Sequence, residues 1–220
     1  MEVLLIRHGD PDYANDCLTD LGKREALCLA DDLERLEIDE IYVSPAGRAQ
    51  ETCGFTADRK GISPDALDWL MERPIKRDEV YLWEAPGDMF LRTAKSSSQN
   101  GGFGLDKTMP EGCEQFERVK RGFDALLATQ GYVRNGDLYH VERESEKRIA
   151  LFCHKGVILT LLADILHWPL PMIFVSLQIH PTGVTRLEMV EKNGLAHFKA
   201  TAINSLTHLR LHSHDAESKK

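Results

Sequence analysis

Two short hydrophobic segments, each followed by a histidine and a glycine, place the strongest constraint on this chain. Residues 3–6 run into an Arg-His-Gly sequence that contains His8, and residues 149–153 run into a His-Lys-Gly sequence that begins at His154. Continuous apolar runs of this length are typical of buried parallel strands. Open α/β sheets bind their ligands at the carboxyl edge of such strands. The sequence therefore predicts that both histidines lie at one site, beside the Arg7 guanidinium, where an anion such as phosphate would be bound.

Composition limits the classes of partner. The chain has 220 residues and a formal net charge of −8, which argues against binding to nucleic acid or to an acidic membrane surface. The apolar stretch over residues 157–168 is too short to cross a bilayer. Five cysteines without regular spacing indicate reduced thiols rather than a disulfide framework. We expect a cytoplasmic protein with one domain over residues 1–220, and the sequence does not indicate its oligomeric state.

Strand patterns alternate with helix patterns along most of the chain. Ser44-Pro45 reads as a helix N-cap followed by proline at the first helical position, and Thr19 reads as another N-cap. Asn-Gly pairs at 135–136 and 193–194 predict hairpins, the second of them antiparallel at one edge of the sheet. The predicted fold is a three-layer α/β sandwich. Its central sheet is mostly parallel with an antiparallel edge strand, and helices cover both faces.

Residues from about 73 to 110 interrupt this alternation. They mix charged residues with a triple serine and a Gly-Gly-Phe-Gly sequence, which favours an inserted lid over the sheet edge. Arg73, Lys76, Arg77 and Arg92 could meet a second anionic group of a substrate, although charged loop residues are usually only solvated.

The candidate site has the groups that phosphoryl transfer requires. A phosphomonoester between the two strand ends would meet Arg7, Arg48 and a protonated His154 as donors from three chain segments. His8 could attack phosphorus through one ring nitrogen while a backbone carbonyl fixes the tautomer on the other. The departing alkoxide needs a proton, so a carboxylic acid must lie nearby.

Several segments in this order resemble the histidine phosphatase superfamily, also called the phosphoglycerate mutase-like family. They are residues 5–9 (Leu-Ile-Arg-His-Gly), 18–22 (Leu-Thr-Asp-Leu-Gly), 44–52 (Ser-Pro-Ala-Gly-Arg-Ala-Gln-Glu-Thr), 154–156 (His-Lys-Gly) and 204–209 (Asn-Ser-Leu-Thr-His-Leu). The resemblance implies phosphoryl transfer without a metal or other cofactor, on a small phosphate ester. It implies His8 as the phosphorylated nucleophile and phosphate contacts from Arg7, Arg48 and His154.

Two further site residues rest on looser matches to the family. Glu72 resembles the family's glutamate shortly after the third strand and is our choice for the acid, with Glu84 and Glu111 as competitors. Asn15 matches a phosphate-contacting asparagine in the loop after the nucleophile.

Three alternatives to a phosphatase remain open. Pro74 stands where the family's mutases continue with a histidine-tyrosine pair, so hydrolysis is favoured over a phosphoglycerate mutase-type isomerisation. The terminal His-Ser-His-Asp sequence at 212–215 superficially resembles a metal-ligand cluster and suggests a metal hydrolase. A non-catalytic phospholigand-binding scaffold of the same fold is the third alternative. The expected activity is that of a phosphoric monoester hydrolase.

Overall fold

The computed structural model describes residues 1–73, 76–77, 80–81 and 110–210. Within them the strands are β1 (Glu2–Arg7), β2 (Pro11–Asp12), β3 (Cys17–Leu18), β4 (Glu40–Val43), β5 (Asp65–Ala66), β6 (Lys76–Arg77), β7 (Val80–Tyr81), β8 (Tyr132–Asn135), β9 (Leu138–Val141), β10 (Arg148–Cys153), β11 (Val184–Lys192) and β12 (Leu195–Ser205). The α-helices are α1 (Asp20–Leu33), α2 (Gly47–Lys60), α3 (Pro110–Thr129), α4 (Lys155–Ile165) and α5 (Leu170–Ser176).

The main sheet has a parallel half and an antiparallel half. In the part of the chain that is described, its strand order is β5-β4-β10-β1-β11-β12-β9-β8. The first four strands pair in parallel, and the pairs from β1–β11 onward are antiparallel. The predicted hairpin around Asn193-Gly194 is present, but it lies inside the sheet rather than at its edge. Leu187 of β11 is fully buried, which suits a strand that pairs on both sides.

Alternating side chains of the two central strands fill a core on each face of the sheet. Val3, Leu5 and Leu151 pack with α3, α4 and α5, whereas Leu4 and Phe152 pack on the other face with α1 and α2. These strands are buried on both faces because helices cover both, as their continuous apolar sequences predict. The predicted α/β sandwich is confirmed.

Helix starts follow the predicted signals in one case and not in another. The Thr19 hydroxyl accepts from the Gly22 N–H at 3.1 Å and begins α1, as predicted. The second helix begins at Gly47 rather than at Pro45, and its N-cap residue Ala46 makes no side-chain hydrogen bond. Ser44 is therefore not the N-cap. Its hydroxyl oxygen accepts from the Ala46 N–H at 3.3 Å, ahead of the helix, and also lies 2.8 Å from Nε2 of the buried His154.

The parallel edge strand β5 is short. β5 ends at Ala66, and a turn of 3₁₀-helix over Asp68–Leu70 follows it. Helix α5 was not predicted, since its seven residues are too few to show a helical period.

Some predictions fall on residues that the structure does not describe. Apart from Arg73, β6, β7 and Pro110, the predicted lid over 73–110 lies outside the described residues, and so does the 212–215 motif. Within the described residues, no helix has the length and apolar character needed to span a membrane. The single domain over 1–220 stays a prediction.

Candidate active site

The parallel strands β4, β10 and β1 end side by side at one edge of the sheet, and a polar residue follows each of them. Arg7 at the end of β1 pairs with Cys153 at the end of β10. The next residue along, His8, donates its backbone N–H to the Cys153 carbonyl at 3.0 Å, and Ser44 after β4 donates to the Phe152 carbonyl at 2.9 Å. The ring centroids of His8 and His154 are consequently 5.1 Å apart. The predicted meeting of the two histidines is observed.

His8 is held in one orientation and one tautomer. Its ring is almost fully buried, and Nδ1 lies 2.7 Å from the Gly9 carbonyl oxygen. A carbonyl only accepts, so Nδ1 carries the proton and the lone pair lies on Nε2. Burial, together with the charges of Arg7 and Arg48, lowers the pKa of His8 to about 3. At neutral pH the imidazole is therefore uncharged and can act as a nucleophile through Nε2.

His154 lies between Ser44 and Arg48. Its Nε2 is 2.8 Å from the Ser44 hydroxyl oxygen, and its Nδ1 is 3.1 Å from Arg48 Nη2. A guanidinium only donates, so Nδ1 accepts and the neutral ring donates from Nε2 to Ser44. Sequence reasoning missed this role of Ser44, because a Ser-Pro pair after a strand looks like a helix cap.

The charge state of His154 differs from the expectation. Burial, with His8, Arg48 and Arg7 adding in that order, lowers the pKa of His154 to about 2. The protonated donor expected from the sequence is therefore not the form of the free site at neutral pH. The main reason is burial, which disfavours a charged imidazole, and the neighbouring guanidinium groups add to it by repelling a proton.

The two arginines point into the site from different elements. Arg7 Nη1 donates to the Ile179 carbonyl at 2.7 Å. Arg48 lies on the first turn of α2. Its Nη2 contacts His154, and its Nη1 donates to Asp16 Oδ1 at 2.5 Å. Arg7 Nε and Arg48 Nε are buried and have no partner among the residues described. Donors left unpaired in this way suit an anion that binds between the two guanidinium groups.

Asp16 is a second residue that the sequence did not single out. Its other carboxylate oxygen accepts from the Gly47 N–H at 2.7 Å, at the start of α2. Partial burial alone would raise the pKa of Asp16, but the Gly47 N–H and the Arg48 guanidinium outweigh it and the pKa is lowered. The ionised carboxylate thus holds Arg48 beside His154.

Glu72 reaches the site at the start of α4. Its Oε1 accepts from the Gly156 N–H at 2.7 Å, and its Oε2 lies 4.0 Å from His154 Nδ1. A Cβ on Gly156 would lie 2.8 Å from Glu72 Oε1, which explains the glycine after His154-Lys155. Arg118 of α3 donates to the carbonyls of Asp68 and Met71 and so fixes the segment before Glu72. The competing acids, Glu84 and the Glu111 side chain, lie outside the described residues.

Asn15 lies in the loop between β2 and β3, and its side-chain hydrogen bond is made to Asp12 rather than to another predicted site residue. It is exposed, and its side-chain amide donates to Asp12 Oδ2 at 2.7 Å. Its phosphate-binding role stays a prediction.

The lowered histidine pKa values predict a loss of stability in acid. In the unfolded chain both histidines are protonated below the ordinary histidine pKa of 6.5. In the folded chain His8 is protonated only below pH about 3, and His154 only below pH about 2. The free energy of unfolding should therefore fall as the pH is lowered from about 6.5. We expect a His8→Asn/His154→Asn variant to lose less stability than the wild type between pH 7 and pH 5, in urea unfolding without phosphate. Equal losses in both proteins would contradict these charge states.

Sequence comparison assigns the family. The model of the histidine phosphatase superfamily, branch 1, matches residues 3–200. The chain belongs to the histidine phosphatase superfamily. No match is found among curated protein sequences. This family assignment confirms the predicted enzyme class, a phosphoric monoester hydrolase.

Solved structures share the histidine phosphatase fold. A mutant phosphoserine phosphatase from Entamoeba histolytica in complex with phosphoserine is 22% identical with a TM-score of 0.64, over 94% of this chain and 98% of that chain. The same kind of enzyme in complex with 3-phosphoglyceric acid is 21% identical with a TM-score of 0.64, over 94% and 98%. A mycobacterial glucosyl-3-phosphoglycerate phosphatase in complex with VO₃ is 18% identical with a TM-score of 0.65, over 93% and 99%.

Proposed function

We propose that this chain hydrolyses phosphomonoesters through a phosphohistidine intermediate on His8, with Glu72 as acid and then base. The observation that carries the proposal is the pair of buried imidazoles with ring centroids 5.1 Å apart, flanked by Arg7 and Arg48. A binding module would need the guanidinium groups but not a neutral imidazole with a free Nε2. The family membership supports the same reading.

The first step transfers the phosphoryl group to the enzyme. His8 Nε2 attacks phosphorus, the P–O bond to the leaving alcohol breaks, and Glu72 gives its proton to that oxygen. The Nδ1–H bond to the Gly9 carbonyl, at 2.7 Å, stabilises the positive charge that the ring gains. In the second step water attacks phosphorus, Glu72 takes the water proton, and the P–N bond breaks to release phosphate and neutral His8.

Arg7, Arg48 and His154 stabilise the transferring phosphoryl group. The unpaired Nε atoms of both arginines face a buried environment in which charge-assisted hydrogen bonds are strong. His154 lies in contact with Arg48. The negative charge of bound phosphate would oppose the repulsion from Arg48 and Arg7, which adds to the effect of burial in lowering the pKa of His154. Asn15 would join them by a rearrangement of its exposed loop.

The proposed substrate is a small phosphate ester. Two of the neighbouring structures hold phosphoserine and 3-phosphoglyceric acid, both of which are phosphomonoesters of small carboxylic acids. At the sequence identities found, these neighbours share the fold and do not identify the substrate. Both compounds therefore belong in a panel with sugar phosphates, nucleotides and p-nitrophenyl phosphate.

Rapid mixing with a ³²P-labelled substrate from that panel tests the proposal. We expect phosphate bound to the protein that is stable in alkali and labile in acid, formed before free phosphate and mapped to His8 by peptide mass spectrometry. Turnover with no such species at any time would contradict the phosphohistidine route. Isomerised ester without free phosphate would indicate a mutase, and binding without turnover would indicate a scaffold.

A further inference from the structure

A turn over residues 179–183, in which Ile179, Thr182 and Gly183 are buried, supports the carboxyl end of β1. Arg7 donates to it twice, from Nη1 to the Ile179 carbonyl at 2.7 Å and from its backbone N–H to the carbonyl of the last turn residue at 3.2 Å. Thr182 in turn donates its N–H to the His8 carbonyl at 3.2 Å. The 179–183 turn therefore contacts both the proposed nucleophile and one of the proposed phosphate-binding arginines.

The backbone of Thr182 is in a conformation that a threonine rarely adopts. Its φ angle is 53°, in the left-handed region, and the residue is fully buried. A β-branched residue is strained there, because its side chain crowds the backbone. Such a conformation persists only where surrounding groups hold it, and strained residues are concentrated at functional sites.

His208 supplies the contact that holds Thr182. The Thr182 hydroxyl donates its hydrogen to the Pro181 carbonyl at 2.8 Å, so its oxygen accepts from His208 Nε2–H at 3.0 Å. His208 is 1% exposed and follows β12 in the chain. Asn204 of the same segment accepts from the His180 N–H at 2.7 Å. The C-terminal segment thus holds the turn at two points.

We propose that His208 is a positioning residue for phosphoryl transfer, acting through the Thr182 hydroxyl on the 179–183 turn. Holding that turn keeps the Ile179 carbonyl on the Arg7 guanidinium and the Thr182 N–H on the His8 carbonyl. The proposal rests on the proposed function, because it assigns His8 and Arg7 their roles. The proposal gives a structural role to the Asn-Ser-Leu-Thr-His-Leu segment at 204–209, which takes no direct part in the proposed phosphoryl transfer.

Paired substitutions test this coupling. His208→Ala and Thr182→Val each remove one partner of the hydrogen bond, and we expect each to lower kcat/KM about tenfold or more through misplacement of the reacting groups. Adding His208→Ala to Thr182→Val should bring no further loss, because Thr182→Val already removes the hydroxyl that His208 contacts. The dissociation constant of inorganic phosphate should rise in the same variants, since Arg7 is released.

Conservative variants separate positioning from mere folding. His208→Gln places an N–H donor near the position of Nε2, and Thr182→Ser keeps the acceptor, so both should restore kcat/KM to within about threefold of the wild type. Thr201→Val, on the exposed side of β12, is the matched control. Activities are compared per folded molecule, from circular dichroism and thermal unfolding. If His208→Ala does not fold, Thr182→Val against Thr182→Ser decides the question.

Two results would overturn the positioning role. One is a folded Thr182→Val or His208→Ala variant with unchanged kcat/KM and unchanged phosphate affinity. The other is a double variant whose losses multiply, since that would make the two side chains independent. Phosphohistidine trapping in the wild type separates this failure from failure of the proposed function. If the wild type turns over substrate and no phosphohistidine is trapped, the proposed function is wrong, whatever the activities of the variants.

Discussion

His8→Ala is expected to abolish phosphoester hydrolysis. The substitution removes the Nε2 lone pair that would attack phosphorus in the proposed mechanism. Among the described site residues, only His8 has an imidazole nitrogen held by the carbonyl of the next residue, Gly9, with the other nitrogen unprotonated. Loss of a covalent nucleophile lowers kcat by at least about 10³-fold in other enzymes, and we expect a comparable loss here. Steady-state release of phosphate from p-nitrophenyl phosphate measures it, and rapid quenching should find no acid-labile phosphate on the variant.

His197→Ala is the matched control for that experiment. His197 is exposed on β12, and its removal should leave kcat unchanged. Each protein is also assayed after dialysis against a chelator. Activity that survives His8→Ala, or that disappears with chelator and returns with a metal ion, would favour the metal hydrolase hypothesis over phosphohistidine chemistry. Within the described residues no group of three or more metal-ligating side chains is found, and the 212–215 motif lies outside them.

Glu72→Gln is expected to slow poor leaving groups far more than good ones. The glutamine oxygen can still accept from the Gly156 N–H, so the side chain keeps its place, but the amide has no acidic proton for the leaving alkoxide. General acid catalysis contributes about 10²–10⁴-fold, so alkyl phosphates such as phosphoserine should slow by that range. p-Nitrophenyl phosphate needs little protonation and should slow by only a few fold. The dependence of kcat/KM on leaving-group pKa measures the difference.

Glu142→Gln on the exposed surface controls for the loss of one negative charge. Uniform slowing of all esters would remove Glu72 from the acid role, and Glu84→Gln and Glu111→Gln would then be compared in the same series. A selective loss in one of those variants would reassign the acid role to that glutamate.

Local sequence patterns were sufficient to predict most secondary structure. β1 and β10 are continuous apolar runs, and the Asn135-Gly136 pair makes the predicted hairpin with Gly136 at a φ angle of 64°. These features depend on neighbours within a few residues, so the local sequence predicts them. The prediction failed where a polar residue had two possible partners. Ser44 had the sequence context of a helix cap, but in the fold its hydroxyl meets His154 instead.

Sequence alone was sufficient to predict that Arg7 and the two histidines lie at one site. His8, Arg7 and His154 follow strand-like runs directly, so their arrival at a sheet edge is dictated by the residues beside them. Tertiary structure decided their distances, their protonation and their supports. The 5.1 Å between two imidazoles comes from the parallel register of β1 and β10, whose pairing joins residues 146 positions apart. The contacts of Asp16, Thr182 and His208 arise in the same way, because burial and hydrogen bonding across the fold depend on packing between distant segments, which no local pattern encodes.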